Sequence, residues 1–186
     1  MISIYKNPKF SLYSSKKFRF RVIELNDIEH IRKWRNKQKN NLRQNKNISK
    51  YDQMKYWNEK ILPSFNDEKP DQLLFCLEDL MTKELIAYGG LVHIDWDKKY
   101  AESSFLANPI FDKQKKEYES IFLAYLDFLI RAAKQLNFLS IYSETYSFRI
   151  KHIKILEKYG YEQYGFLNKV TFPANYSLLH QYILKS

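Results

Sequence analysis

Cysteine occurs once in the 186 residues, which excludes a disulfide framework within the chain. Cys76 follows the apolar run Leu73, Leu74, Phe75 and reads as a buried thiol in a reducing compartment. No apolar run approaches the ~20 residues that span a bilayer, and the opening MISIYKNPKF lacks the apolar core of a secretion signal. The expectation is therefore a soluble cytoplasmic protein with no membrane partner. His30, His93, His152 and His180 share no ligand spacing, so no metal is expected. Repeats, low-complexity runs and linkers are also missing, and with 45% hydrophobic residues the length suits a single domain, 1–186. Acidic residues are outnumbered, 21 against 31 Lys and Arg, and the resulting net charge of +10 suits an anionic partner. The same chain is rich in Lys, Asn, Ile, Tyr and Phe together, a bias that genome composition alone can produce, and nucleic acid is not an expected partner. The basic cluster Arg32 to Lys50 reads as a solvated helix end and loop.

The stretch around which the rest is organised runs from Ala101 to Phe138. It reads as a strand ending at Asn108-Pro109, a charged connector from Phe111 to Lys116, and a long helix whose body is Ile121 to Leu136. That helix is apolar almost all round, with a narrow polar stripe through Lys116, Ser120, Asp127, Arg131 and Lys134, so burial is expected. A strand, loop and helix in this order offers a phosphate the free N–H groups of the helix's first turn. The connector Asp112 to Glu119 is thus the first place to expect a cofactor.

Elsewhere, alternation over Lys17 to Val22 predicts a strand with Phe18, Phe20 and Val22 inward. Asn26 or Asp27 can cap a helix bearing Ile28, Ile31 and Trp34. Ser49 with Asp52 resembles a capping arrangement for a second helix, with Tyr51, Met54, Trp57 and Ile61 inward and a stop at Pro63. Ile2 to Tyr5 is a possible short strand. Strands are predicted over Gln72 to Leu77 and Leu85 to Ile94, the latter with Gly89-Gly90 marking a bulge or a close backbone approach. The connection DWDKKY (Asp95 to Tyr100) is a tight antiparallel turn. Leu139 to Tyr146 reads as a strand and Phe148 to Tyr159 as a helix with Ile150, Ile153 and Leu156 inward, ended by Gly160. Tyr161 to Phe172 and Tyr176 to Leu184 are two more strands around a Pro173 turn. The expected class is α+β, with about seven strands and about four helices.

This order of elements, with IRKWRN (Ile31 to Asn36), SKYDQMKYW (Ser49 to Trp57) and ILEKYGY (Ile155 to Tyr161), resembles the GCN5-related N-acetyltransferase (GNAT) superfamily. The likeness covers most of residues 17–184 and is nearest to the branch of ribosomal-protein N-terminal and UDP-amino-sugar N-acetyltransferases. It implies that the strands form one mixed central sheet flanked by the helices, with acetyl-coenzyme A as co-substrate, bound through backbone N–H groups near Phe105, Leu106, Ala107 and Asn108 and at the start of the long helix. Where such enzymes carry Gly-x-Gly, this chain has DKQKKEYES (Asp112 to Ser120) with no glycine. Lys113, Gln114, Lys115, Lys116 and Glu117 then stand at the phosphate position. Arg149 replaces the Asn that commonly begins the last helix, and Leu156 replaces the Tyr that often protonates the leaving thiolate.

Acetyl transfer to an amine needs a group to take the amine's proton and donors to polarise the thioester carbonyl. His93 and Glu102 flank the DWDKKY turn and are expected to be cross-strand neighbours, so either can be the base. The bland alternatives are a strand histidine bonded to a neighbour and a surface carboxylate paired with Lys98 or Lys99. Tyr142, Glu144 and Tyr146, on the strand across the coenzyme cleft, are acceptor-binding candidates. The aromatic excess, 15 Tyr, 13 Phe and 3 Trp, is otherwise core. The implied function is N-acetyl transfer to a small or nucleotide-linked amine, with an amino sugar leading and a protein N-terminus as the other acceptor. The rival is a non-catalytic binding or scaffold module on the same fold, and a homodimer is possible in either case.

Overall fold

The computed structural model describes Tyr5, residues 17–168 and residues 176–184. The expected strand at Ile2 to Tyr5 and turn at Pro173 lie largely or wholly outside them. Seven strands form one mixed sheet in the order β1-β2-β3-β4-β5-β7-β6. These are β1 (Phe18–Val22), β2 (Gln72–Asp79), β3 (Leu85–Asp95), β4 (Tyr100–Ala107), β5 (Ser140–Tyr146), β6 (Glu162–Asn168) and β7 (Tyr176–Ile183). Helix α1 (Ile28–Lys37) precedes α2 (Lys50–Tyr56), which runs through a π turn (Trp57–Ile61) into the short α3 (Leu62–Ser64) as one continuous helix. Helices α4 (Lys115–Gln135) and α5 (Ile150–Tyr159) complete the set, four helical bodies against seven strands as the sequence predicts. Among the described residues no helix is long and apolar enough to cross a membrane.

Two cores lie on opposite faces of the sheet. Helix α4 buries Tyr118, Ile121, Phe122, Tyr125, Leu126, Phe128 and Leu129 against β1 to β5. Phe20 stacks on Phe128 at 4.1 Å, and the Tyr125 hydroxyl donates to the Phe75 carbonyl at 2.8 Å, so this crowded centre leaves no polar tip unpaired there. On the other face Ile28, Ile31 and Trp34 of α1 meet Trp57 and Ile61, Leu74, Cys76 and Tyr88.

Three inward residues are corrected. Tyr51 and Met54 are exposed, because the face of α2 that turns to the sheet passes through Gln53, Trp57 and Ile61, four residues apart. Ile150 is also exposed: α5 starts there, two residues later than expected, and turns His152, Ile153, Ile155 and Leu156 inward. The Ser49 and Asp52 capping box forms as read, and Gly160 takes the left-handed conformation, φ 109°, that ends α5.

At the β1 edge, Arg21 donates two bonds of 2.6 Å to Asp27 and another to Glu78, which Arg19 also holds. Burial pushes both carboxyls up, but the arginines outweigh it and leave both below the ordinary carboxylate range. Groups depressed on folding stabilise the fold above their unfolded pKa values and lose that contribution as pH falls through the folded ones. The melting temperature should therefore fall as pH drops below about 4, and Asp27→Asn should flatten that acid limb. An acid limb unchanged in Asp27→Asn would place the sensitivity elsewhere.

Candidate active site

Strand β5 joins β4 in parallel over three residues, Tyr100 to Glu102 against Ser140 to Tyr142, and then the two strands part. Backbone groups beyond Glu102 on that side of β4 therefore have no strand to bond. Asn108 donates its N–H to Ile86 on β3, and alternation along a strand turns Leu106 the same way and Phe105 and Ala107 toward the gap. The Ala107 carbonyl does face that side, where Gln38 donates to it at 2.9 Å. Of the four expected backbone donors, Phe105 and Ala107 therefore face the split. Leu106 points to β3, and Asn108 is used in the fold, its side chain capping Ile110.

His93 and Glu102 do meet: Nδ1 of His93 lies 2.7 Å from Oε2 of Glu102. The cause is a bulge. Val92 pairs with Glu102 and Asp95 with Tyr100, so β3 carries one residue too many between them. In regular register His93 would point to the opposite face from Glu102; here it adopts φ +48°, one of four non-glycine residues with positive φ among those described, and swings onto Glu102's side. The Gly89-Gly90 pair, by contrast, holds a close backbone approach, with the register shift of β3 against β4 lying further along. Glu102 is not a surface carboxylate, having a side chain 5% exposed against 63% for His93. Lys98 pairs with Asp95 instead. The other Glu102 oxygen accepts from Arg43 at 2.5 Å, and Arg43 also reaches Glu144 on β5 at 2.7 Å. Arg43 thus straddles the split and leaves a cavity of about 80 Å³ bordered by Phe105, Glu144, Tyr146 and Arg149.

The loop bearing Arg43 belongs to the basic cluster that reads as solvated, and that reading is incomplete. Asn36 clamps the loop, donating to the Ile48 carbonyl at 2.9 Å and accepting from the Ile48 N–H at 2.8 Å. Charged residues are thereby carried onto the sheet. Glu144 is engaged by Arg43 and by Ser177, so it faces the donor cleft with its charge already met. Tyr142 packs on Tyr100 at 6.0 Å; burial and the Glu102 charge push its hydroxyl up to about 12, which keeps it a donor. Tyr146 stacks on Phe148.

Helix α4 begins at Lys115, and no side chain caps its N-terminus. Lys113, Gln114, Lys115, Lys116 and Glu117 are exposed there. Around them a second hollow of about 360 Å³ is lined by Asp112, Tyr118, Phe148, Arg149, Lys151 and His152. Arg149 reaches the Asn41 carbonyl and the Tyr118 hydroxyl, at 3.5 and 3.4 Å. Lys151 was not a sequence candidate; its buried Nζ has no hydrogen-bond partner among the described residues and lies 4.3 Å from the Tyr118 ring centre. Burial and then Lys115 lower its proton affinity, against Asp112, Glu119 and Glu117, which raise it. Free N–H groups, Arg149 and Lys151 fit a phosphate where glycine is absent. His152, forced neutral by burial and Arg149, bonds the Tyr118 hydroxyl at 2.9 Å.

A cavity of about 700 Å³ opens between α1, α2 and strands β2 to β4. His93 lines it together with Arg35, Tyr56, Gln72 and Tyr88. No group of three or more His, Cys, Asp or Glu suited to a metal occurs among the described residues.

Solved structures share this architecture. The spermidine N-acetyltransferase of Vibrio cholerae in complex with CoA and spermine is 19% identical, with 90% of this chain and 94% of that one covered at a TM-score of 0.73. A dodecameric structure of the Vibrio cholerae enzyme in an intermediate state is 18% identical, with 91% and 95% covered and a TM-score of 0.70. At that identity the likeness establishes the fold. A search of curated proteins finds no match. The model of the acetyltransferase (GNAT) domain family matches residues 20–176, most of the chain, and the chain belongs to the GNAT acetyltransferases.

Proposed function

We propose that the chain transfers the acetyl group of acetyl-coenzyme A directly to a small amine. The observation that carries this reading is the His93–Glu102 pair: His93 stands on the wall of the 700 Å³ cavity, and Glu102, which holds it, stands at the β4–β5 split. The acceptor amine enters that cavity, and His93 takes its proton at Nε2 while Glu102 holds Nδ1–H. The amine nitrogen bonds the carbonyl carbon, the N–H groups of Phe105 and Ala107 steady the oxyanion, and the carbon–sulfur bond breaks to release the thiolate. Leu156, fully buried and apolar, offers that thiolate no proton, so solvent supplies it.

Acceptor identity is a finer matter. The amino sugar favoured by sequence and the polyamines named for the solved relatives are both small amines, and a protein N-terminus keeps the same chemistry. A homodimer in the cytoplasm is the setting we assign. The scaffold reading draws on one observation, Arg43 crossing the split and leaving about 80 Å³ beside it.

Acetyl-coenzyme A separates the two. At a hundredfold excess over Kd it should stabilise the fold by about 2.7 kcal/mol, read as a rise in melting temperature of several degrees. Lys151→Ala should weaken its affinity about tenfold or more, the loss of one charge-assisted contact. No shift at millimolar acetyl-coenzyme A would favour the scaffold, and unchanged affinity in Lys151→Ala would move the phosphates away from α5.

A further inference from the structure

Arg35 lines the 700 Å³ cavity without the carboxylate partner that most of the described arginines have; Arg149, at the hollow near the start of α4, is the other without one. Arg19, Arg21, Arg32, Arg43 and Arg131 each hold a carboxylate. Arg35 has none within ion-pair distance among the described residues; its one hydrogen bond runs from Nη1 to the Tyr88 hydroxyl at 3.0 Å. It lies on α1, half-buried, and lines the same 700 Å³ cavity as His93. The cavity's single carboxylate is Asp52, which is committed to Ser49 at the start of α2. Arg43, the other cation on the wall, is neutralised by Glu102 and Glu144.

A guanidinium drawn out of bulk water with most of its five donors unspent is matched in shape and charge by a planar or tetrahedral oxyanion. We propose that Arg35 binds an anionic group, a carboxylate or a phosphate, carried by the same small molecule whose amine meets His93. Tyr88, whose hydroxyl accepts from Arg35, and Tyr56, whose hydroxyl donates to Gln72 at 2.7 Å, line the same cavity. A polyamine brings only cations to this wall and would meet Arg35 with no carboxylate to receive it. The inference rests on the acetyltransferase reading and narrows its acceptor to an amine that also bears a negative charge.

The test is calorimetric binding to the whole chain, using matched pairs that differ in one anionic group: leucine against leucinamide, and glucosamine 6-phosphate against glucosamine, with spermidine alongside. The member of one pair that bears the anionic group should bind about 10- to 100-fold tighter than the partner without it, and the pair that does so distinguishes carboxylate from phosphate. Arg35→Gln should erase that preference. Arg35→Lys, which keeps the charge without the fork, should reduce it, and it serves should Arg35→Gln fail to fold. The proposal is overturned if spermidine or the members without the anionic group bind as tightly as those with it, if neither pair binds at 10-millimolar scale, or if the preference survives both variants undiminished. Acetyl transfer is measured separately: tight, Arg35-dependent binding without transfer would sink the enzyme reading and leave the anion site standing.

Discussion

His93→Gln should lower turnover about 10²- to 10⁴-fold while acetyl-coenzyme A affinity stays unchanged, the signature of a lost proton acceptor. The geometry concentrates that role on one atom. Nδ1 is taken by Glu102 at 2.7 Å, which leaves Nε2 as the nitrogen available on a side chain that is 63% exposed and lines the cavity. Glu102, 5% exposed and held by Arg43, is placed to orient the ring and to stabilise its cation. Glu102→Gln should therefore cost less than His93→Gln. Because His93 sits at φ +48°, where Asn is tolerated better than Gln, His93→Asn controls for backbone strain. It should be as inactive as His93→Gln. Turnover at wild-type level in both variants, on an acceptor the wild type uses, would remove His93 from the chemistry.

Gly89→Ala should destabilise the fold by about 3 kcal/mol or more, a large share of the 5–15 kcal/mol that a domain commands. A Cβ at Gly89 would stand 2.0 Å from the Ser104 carbonyl oxygen and 2.9 Å from the Phe105 Cα. Both belong to the backbone of β4, so no side chain can rotate to make room. The neighbouring Gly90 is hemmed in from the other side, its Cβ 1.8 Å from the Leu73 carbonyl oxygen on β2. Relief requires pushing β4 toward the split, where Phe105 presents its N–H, so any folded Gly89→Ala protein should lose activity as well as melting temperature. A melting temperature within a degree or two of wild type would show that the strands have slack.

Element types were legible in the chain because burial imposes periods on it. Alternation at Phe18 and Phe20, helical spacing at Ile28, Ile31 and Trp34, and an apolar helix at Ile121 to Leu136 all lie where the burial pattern requires them. Errors fell at surfaces where several faces of a helix are half apolar: Tyr51, Met54 and Ile150 are apolar but exposed, and Gln53 is polar but buried. His93 with Glu102 was legible as a pair because a short turn forces its flanks together. Arg35, Arg43 and Lys151 were not, since an arginine or lysine in a polar run looks the same whether it faces solvent or a cavity.

Composition and periodicity by themselves determined the α+β class, the seven strands, the buried α4 and a connector without glycine. Local order is written in local spacing, which is why the chain reveals it. Tertiary structure alone decided that a bulge in β3 rotates His93 onto Glu102, that the loop clamped by Asn36 lays Arg43 across the β4–β5 split, and that Arg35 faces a cavity without a carboxylate to hold. Each depends on contacts between residues roughly 10 to 100 positions apart, as with Arg43 and Glu144 at a separation of 101. One residue of register or one loop path changes them completely while leaving every local pattern intact.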